Sequence, residues 1–353
     1  MRRIDEKISK TLALLGAEGR LRRLPEVETR GRHAIFGGKK LLNLSSNDYL
    51  GLGGDEELWA EFHRRKGEFL GGGFEFSASS SRLLTGNHPS YIILEKKLSA
   101  LHGGRAALAL NSGYHANVGI IPALAGPKDL ILSDKLNHAS IIDGILLSGA
   151  KFKRYRHLDC AALEEILGRE RQNFENVFII TESVFSMDGD RADLKKLVAL
   201  KKEYEAFLIV DEAHGVGVFG EKGLGLAEEA DVAGEIDLVI GTFGKALCSA
   251  GAYAVMDASV RDYLVNTMRT LIFTTGLAPV NVAWSAFILE KSVKMGEKRG
   301  HLAKIGELLR RKIAEKGFKT LGDSQIVPLI VGENEKAVEL AAKFREKGVL
   351  VFP

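Results

Sequence analysis

The chain has 353 residues, 45% of them hydrophobic and 27% charged, a balance that fits a globular enzyme with a sizeable core. Lys+Arg 49 against Asp+Glu 46 leave a formal net charge of +3, too even to argue for a nucleic-acid partner. Two cysteines, Cys160 and Cys248, exclude a disulfide framework, and neither a signal-type h-region nor a run of about 18 apolar residues is present, so the chain reads as cytoplasmic with no membrane partner.

Residues 1–24 read as a charged amphipathic helix, with Ile4, Ile8, Leu12 and Leu15 spaced by three and four. A short strand over 41–44 leads into Ser45-Ser46-Asn47-Asp48-Tyr49-Leu50-Gly51-Leu52. After a helix and a glycine cluster comes a small-residue loop from Ser77 to Ser81, then a helix over 91–101. Strand-like segments over 106–110, 130–133, 152–155, 177–181, 207–211, 238–241 and 252–255 alternate with helical ones. That alternation predicts βαβ units and a largely parallel sheet, whose ligands sit beyond the carboxyl ends of the strands. From Arg261 the pattern changes to long charged helices, a final strand over 326–331 and a helix to Lys347.

The motifs fall at those strand ends. The run Phe207-Leu208-Ile209-Val210 delivers Asp211-Glu212-Ala213-His214-Gly215, and Leu238-Val239-Ile240 delivers Gly241-Thr242-Phe243-Gly244-Lys245. A lysine that can form a Schiff base and a carboxylate that can keep a pyridine nitrogen protonated are what a pyridoxal 5'-phosphate (PLP) site needs. Asn111-Ser112-Gly113-Tyr114 opens a helix after the 106–110 strand, which suits a phosphate and equally suits a plain N-cap. Thr242 is placed to add a hydroxyl to the same phosphate. Asn137-His138-Ala139-Ser140 puts His138 at a strand–helix junction, as a ring-stacking group or a helix cap. Ser183-Val184-Phe185-Ser186-Met187-Asp188-Gly189-Asp190 supplies a hydroxyl and carboxylates, or simply a turn. His63, His157 and His301 have nondescript neighbours, no metal is expected for want of ligand spacing, and no Gly-x-Ser-x-Gly elbow follows a strand.

Taken together, Asn-Asp-Tyr-Leu-Gly-Leu at 47–52, Ser-Arg-Leu-Leu-Thr-Gly-Asn-His at 81–88, Asn-His-Ala-Ser at 137–140, Phe-Ser-Met-Asp-Gly-Asp at 185–190, Asp-Glu-Ala-His-Gly at 211–215 and Thr-Phe-Gly-Lys at 242–245 resemble the α-oxoamine synthases, a branch of the fold-type-I PLP enzymes. The resemblance implies an α/β fold-type-I transferase, with an N-terminal helix and arm over 1–42, a large PLP-binding domain over 43–260 and a smaller C-terminal α/β domain over 261–353. It implies that Lys245 holds PLP, Asp211 meets the pyridine nitrogen, His214 meets the phenolic oxygen and Ser186 also contacts the cofactor. Gly113, Tyr114 and Thr242 would help to hold it, and His138 would stack on it and meet the substrate. A homodimer with sites at its interface is implied, with Thr274 and Thr275 reaching the neighbour's phosphate, and Asn47 and Arg22 beside the substrate.

The implied activity is acyl transfer from an acyl-CoA or acyl carrier protein to an amino acid, with loss of CO2. The expected pairing is alanine with a pimeloyl thioester, serving biotin synthesis, with glycine and acetyl-CoA as the alternative. A protein that binds the cofactor without turnover is a third reading. The resemblance also implies a proline-rich segment and a carboxylate-binding arginine beyond Pro353, so the smaller domain is expected to be truncated.

Overall fold

The computed structural model describes residues 2–353. It opens with helix α1 (Arg3–Ala17) and an antiparallel meander of β1 (Val27–Arg30), β2 (His33–Phe36) and β3 (Lys39–Asn43). Helices α2 (Glu56–Leu70) and α3 (Pro89–Leu101) lead into the central unit. There β4 (Ala106–Leu110), α4 (Gly113–Leu124), β5 (Leu130–Asp134), α5 (Ala139–Ser148), β6 (Lys151–Tyr155) and α6 (Cys160–Glu170) alternate. They continue through β7 (Val177–Glu182), α7 (Leu194–Glu203), β8 (Phe207–Asp211), α8 (Leu226–Glu229), β9 (Leu238–Thr242) and β10 (Ala252–Met256). Helices α9 (Ala258–Thr267), α10 (Arg269–Ile272), α11 (Pro279–Ser292), α12 (Gly296–Glu315) and α13 (Asn334–Glu346) follow, and β11 (Val349–Leu350) closes the order.

Seven strands lie in the order β4-β10-β9-β8-β7-β5-β6, with β10 antiparallel to both neighbours and the rest parallel to one another. The sheet is therefore mostly parallel, as its strand–helix alternation predicts. Its inner strands are apolar because both faces are covered, whereas the edge strand β6 is charged and largely exposed. Successive side chains leave a strand on opposite faces, so each inner strand feeds two cores. Ile209 of β8 packs in one cluster with Ile131, Ile180 and Ile240 and the α4 and α5 residues Ile120 and Ile141. Leu208 and Val210 pack in the other, with Leu132, Ile179 and the α6 and α7 residues Leu163 and Leu197. Asp159 and Asp193 start α6 and α7 by accepting from the Ala162 and Lys196 N–H groups.

Helices α4 and α5 approach closely because residue 144 is glycine: a Cβ there would lie 2.5 Å from the Asn117 carbonyl oxygen. That approach seats the α4 segment carrying Asn117 against α5, whose N-cap is His138.

The structure departs from the sequence reading in four places. The first helix ends at Ala17 instead of residue 24, and none of its residues is buried. Residues 326–331 form no strand; a lone bridge joins Thr320 to Leu329, because Pro328 interrupts the run and has no N–H to give a ladder. The meander β1–β3 pairs with β11 in a four-stranded sheet around Ala34, Leu41 and Leu350, so the N-terminal arm and the C-terminal end share one small core. Finally, α11 lies inside the core of the main body, with Val282 and Phe287 against Phe62 and Phe69 of α2 and Leu94 and Leu98 of α3. Packing therefore does not part the chain between 260 and 261.

Phe287 is fully buried, and its ring lies 5.6 Å from Phe62, 5.5 Å from Phe69 and 5.4 Å from Trp284. Phe287→Ala removes the centre of this cluster and is expected to lower stability by about 3–5 kcal/mol, read from urea unfolding.

Candidate active site

The carboxyl ends of the parallel strands open on one edge of the sheet. β4 leads to Asn111 and the α4 N-cap Ser112, β5 to Asp134 and then His138, β7 to Glu182, β8 to Asp211, and β9 to Thr242 and Lys245. This is the edge where doubly wound sheets bind ligands, since helix N-termini and strand-end side chains converge there. A cavity of about 650 Å³ lies over it, lined by residues including Asn47, Asp48, Lys245, Cys248, Asn281 and Trp284.

Asp211 is 5% exposed. Its Oδ2 accepts from Asn117 Nδ2 at 2.8 Å and its Oδ1 from the Ala213 N–H at 2.9 Å. Asn117 also donates to Ser140 Oγ at 3.0 Å. Two neutral donors orient the carboxylate, and among the described residues no cation pairs with it. Nearby, Lys245 Nζ lies 2.8 Å from His214 Nε2, and His214 Nδ1 lies 2.6 Å from the Tyr49 hydroxyl.

Burial pushes the Lys245 amine below the ordinary lysine value, although Asp211 and Glu182 pull it back. Burial, the Lys245 charge and His138 together lower His214 to about 3, so its ring is neutral at physiological pH. Glu182 is raised to about 8 by burial and the nearby Asp211, while its Oε1 accepts the His138 N–H at 2.6 Å. Glu212, wholly buried, is raised to about 7 by desolvation; it accepts from Ser183 Oγ and from the Leu226 and Ala227 N–H groups. Glu182 and Glu212 are thus biased toward the neutral acid, which limits the negative charge stacked beside Asp211.

Sequence-expected residues arrive at this edge unevenly. Lys245, His214, Asp211, Thr242 and the Gly113–Tyr114 turn converge there. The Thr242 hydroxyl donates to the Gly251 carbonyl at 3.1 Å and accepts the Gly244 N–H at 3.2 Å, bracing the turn that aims Lys245. Asn47 lines the cavity. Thr274 accepts from Asn111 Nδ2 at 3.3 Å, and the Thr275 carbonyl accepts from the same amide at 2.8 Å. His138 caps α5 through its Nδ1 and stays exposed, so the capping reading and a free ring face coexist. Ser186 sits half-buried on the turn after β7 with no side-chain hydrogen bond of its own. Arg22 does not join the group: it is exposed in the irregular stretch between α1 and β1, past the helix expected to carry it.

Tyr49, Asn117, Glu182 and His157 were not singled out by sequence. The first three sat in quoted or adjacent motifs, and only the fold shows which way they serve. His157 bridges Asp134 at 2.8 Å and Asp190 at 2.9 Å, tying the β5 end to the Ser186 turn. Burial opposes charge on its imidazole, but the two carboxylates outweigh it and raise its pKa.

These residues fit PLP. A buried carboxylate with only neutral donors calls for a cation, and a protonated pyridine nitrogen is one. The first two N–H groups of α4, on Gly113 and Tyr114, have no partner in the described hydrogen bonds, as a phosphate site requires.

Comparison with known proteins points the same way. Residues 39–353 match the family Aminotransferase class I and II. The chain is 52% identical to 8-amino-7-oxononanoate synthase of Chlorobaculum parvum over 353 residues, covering 99% of this chain and 90% of that protein. A solved serine palmitoyltransferase from S. paucimobilis, with a bound PLP–myriocin adduct, superposes with a TM-score of 0.90 at 29% identity, covering 100% and 92% of the two chains. A crystal structure of 8-amino-7-oxononanoate synthase from Francisella tularensis superposes with a TM-score of 0.72 at 25% identity, covering 88% and 87%.

Asn117→Leu keeps the volume but leaves Asp211 Oδ2 without its donor. It is expected to cost about 1–3 kcal/mol of stability by urea unfolding and to weaken retention of PLP on dialysis.

Proposed function

We propose, from the premise that the chain belongs to the aminotransferase class I and II family and within it to the PLP-dependent α-oxoamine synthases, that it joins L-alanine to a pimeloyl thioester to give 8-amino-7-oxononanoate, CO2 and the free thiol. The observation that carries the cofactor chemistry is the buried Asp211, ion-paired with no cation among the described residues, near a lysine whose amine burial shifts below its ordinary value. The choice of substrates rests on the identity to the Chlorobaculum parvum protein.

When bound, PLP supplies an electron-accepting ring conjugated to the amino acid's α-carbon. Lys245 Nζ would be the residue that holds the cofactor through its aldehyde carbon, and the same amine would serve as the base that moves the amino acid's α-proton. Burial shifts the amine in the direction both tasks need, toward the unprotonated form. Asp211, buried at 5% exposure, would hold a proton at the pyridine nitrogen through a charge-assisted hydrogen bond. His214 Nε2 binds the phenolic oxygen, and His138, Ser186 and Asn47 flank ring and substrate. The α4 N-terminus at Gly113 and Tyr114 and the Thr242 hydroxyl hold the phosphate.

The enzyme is proposed to work as a homodimer in a reducing cytoplasm, with Thr274 and Thr275 reaching the partner subunit's phosphate. Exposed Phe74, Phe76, Leu83, Leu84 and Phe273 support a partner on that side, and unpaired Cys160 and Cys248 support the compartment.

Two measurements test this reading. With purified protein and PLP, alanine plus pimeloyl-CoA should outrun glycine plus acetyl-CoA, and replacing Arg20, Arg22 and Arg23 by alanine should cut the pimeloyl preference about tenfold if one of them meets the acyl carboxylate. A native preference for glycine and acetyl-CoA overturns the assignment, and no product from either pair leaves only cofactor binding. Asp211→Asn should keep some bound PLP yet lose about 10²-fold in kcat, equivalent to roughly 3 kcal/mol of barrier; near-normal turnover refutes its role.

A further inference from the structure

We propose that Tyr49 is a positioning residue that fixes which ring nitrogen of His214 carries the hydrogen, so that an N–H, never a lone pair, faces Lys245 and whatever Lys245 holds. The proton arrangement follows from this chain's atoms alone; its catalytic consequence rests on the PLP reading above.

His214 is buried on the turn after β8, and each ring nitrogen has one polar neighbour: Tyr49 Oη at 2.6 Å from Nδ1 and Lys245 Nζ at 2.8 Å from Nε2. The ring is neutral because burial and the Lys245 charge lower it to about 3. A neutral imidazole has one hydrogen and one lone pair, so its two neighbours must differ in role. Tyr49 keeps its phenolic hydrogen, because burial pushes its pKa up. Of the phenol's two contacts, Nδ1 at 2.6 Å is much the shorter, so the phenol hydrogen is assigned to that nitrogen, which leaves the ring hydrogen on Nε2. Asn47 Oδ1 competes for the phenol from 3.2 Å, the longer contact. Turned over, the same amide donates to the phenol oxygen and reinforces the arrangement.

Both groups are held from outside the sheet. Asp48, next to Tyr49, accepts the Leu52 and Gly53 N–H groups at 2.8 Å each and so stiffens the loop that presents the phenol. Gln325 Nε2 donates to the His214 carbonyl at 2.8 Å, fixing the backbone beneath the ring. With the hydrogen on Nε2, His214 donates to Lys245 Nζ whenever that amine offers its lone pair, and to an oxygen anion brought to the same place. With the hydrogen on Nδ1, the Nε2 lone pair would repel that oxygen.

The test uses the full chain, free of cofactor, with ¹⁵N-labelled histidine rings, and His214→Gln identifies the signal. The wild type should show neutral His214 with its hydrogen on Nε2 at pH 7. Tyr49→Phe should shift a measurable share to Nδ1 with Tm moved by no more than about 4 °C. An Nδ1 hydrogen in the wild type overturns the proposal, as does an unchanged ratio in Tyr49→Phe; the first reading needs no variant and so survives a misfolded one. With PLP loaded, Tyr49→Phe should lower kcat about tenfold with KM for the amino acid within about twofold, a split expected when transition-state stabilisation is lost. An unchanged kcat also overturns it. Borohydride reduction of the wild type that leaves no pyridoxyl label on Lys245 would instead defeat the PLP reading, without touching the cofactor-free spectra.

Discussion

The buried charge of Asp211 is the constraint on which the site is built. A carboxylate at 5% exposure loses its water, and what replaces that water here is two neutral donors, Asn117 and the Ala213 N–H. They orient both oxygens but do not cancel the charge. The surroundings answer in two ways. Glu182 and Glu212, at neighbouring positions, are pushed toward their neutral forms. Lys245, the nearby amine, is itself desolvated, so it does not become a simple ion-pair partner. A cationic ring nitrogen is the group that completes such an arrangement, and it does so only when a ligand brings it.

Holding that arrangement takes more than the sheet. The strands set the Cα positions of Asp211 and Lys245, but turns and distant segments set their side chains. Tyr49 comes from the segment before α2 and Gln325 from the segment between α12 and α13, and both reach His214. His157 fastens the ends of two other strand loops through Asp134 and Asp190. Gly189, at φ 72°, accepts the Asp323 and Ser324 N–H groups through its carbonyl, and a Cβ there would lie 2.4 Å from the Ile326 carbonyl oxygen. The C-terminal part of the chain therefore rests directly on the Ser186 turn, so its seating and the cofactor edge are mechanically coupled.

The same packing explains why boundaries drawn from sequence pattern blur. A helix rich in charged neighbours can still belong to the main core, as α11 does through Val282, Ala286 and Phe287. Conversely, the apolar spacing in α1 finds no covering surface within the chain: Ile4, Ile8 and Leu12 are each about half exposed. Periodicity shows that a face is apolar; it does not say what the face meets.

What the sequence determined by itself was the strand pattern and the chemistry at the strand ends. Apolar runs of five or so residues, each closed by Asp, Lys, His or a Ser-Gly turn, are local features, and buried parallel strands write them plainly because both faces are apolar. The sequence could not show β1 and β2, four residues each and too short to carry a clear two-residue alternation, nor that Pro328 would spoil a strand it otherwise resembled. It could not show Tyr49 on His214 or Asn117 on Asp211, since those contacts join residues 165 and 94 positions apart. Tertiary structure decided them, because a hydrogen bond between remote side chains depends on how helices and loops seat against the sheet, and no local spacing records that geometry.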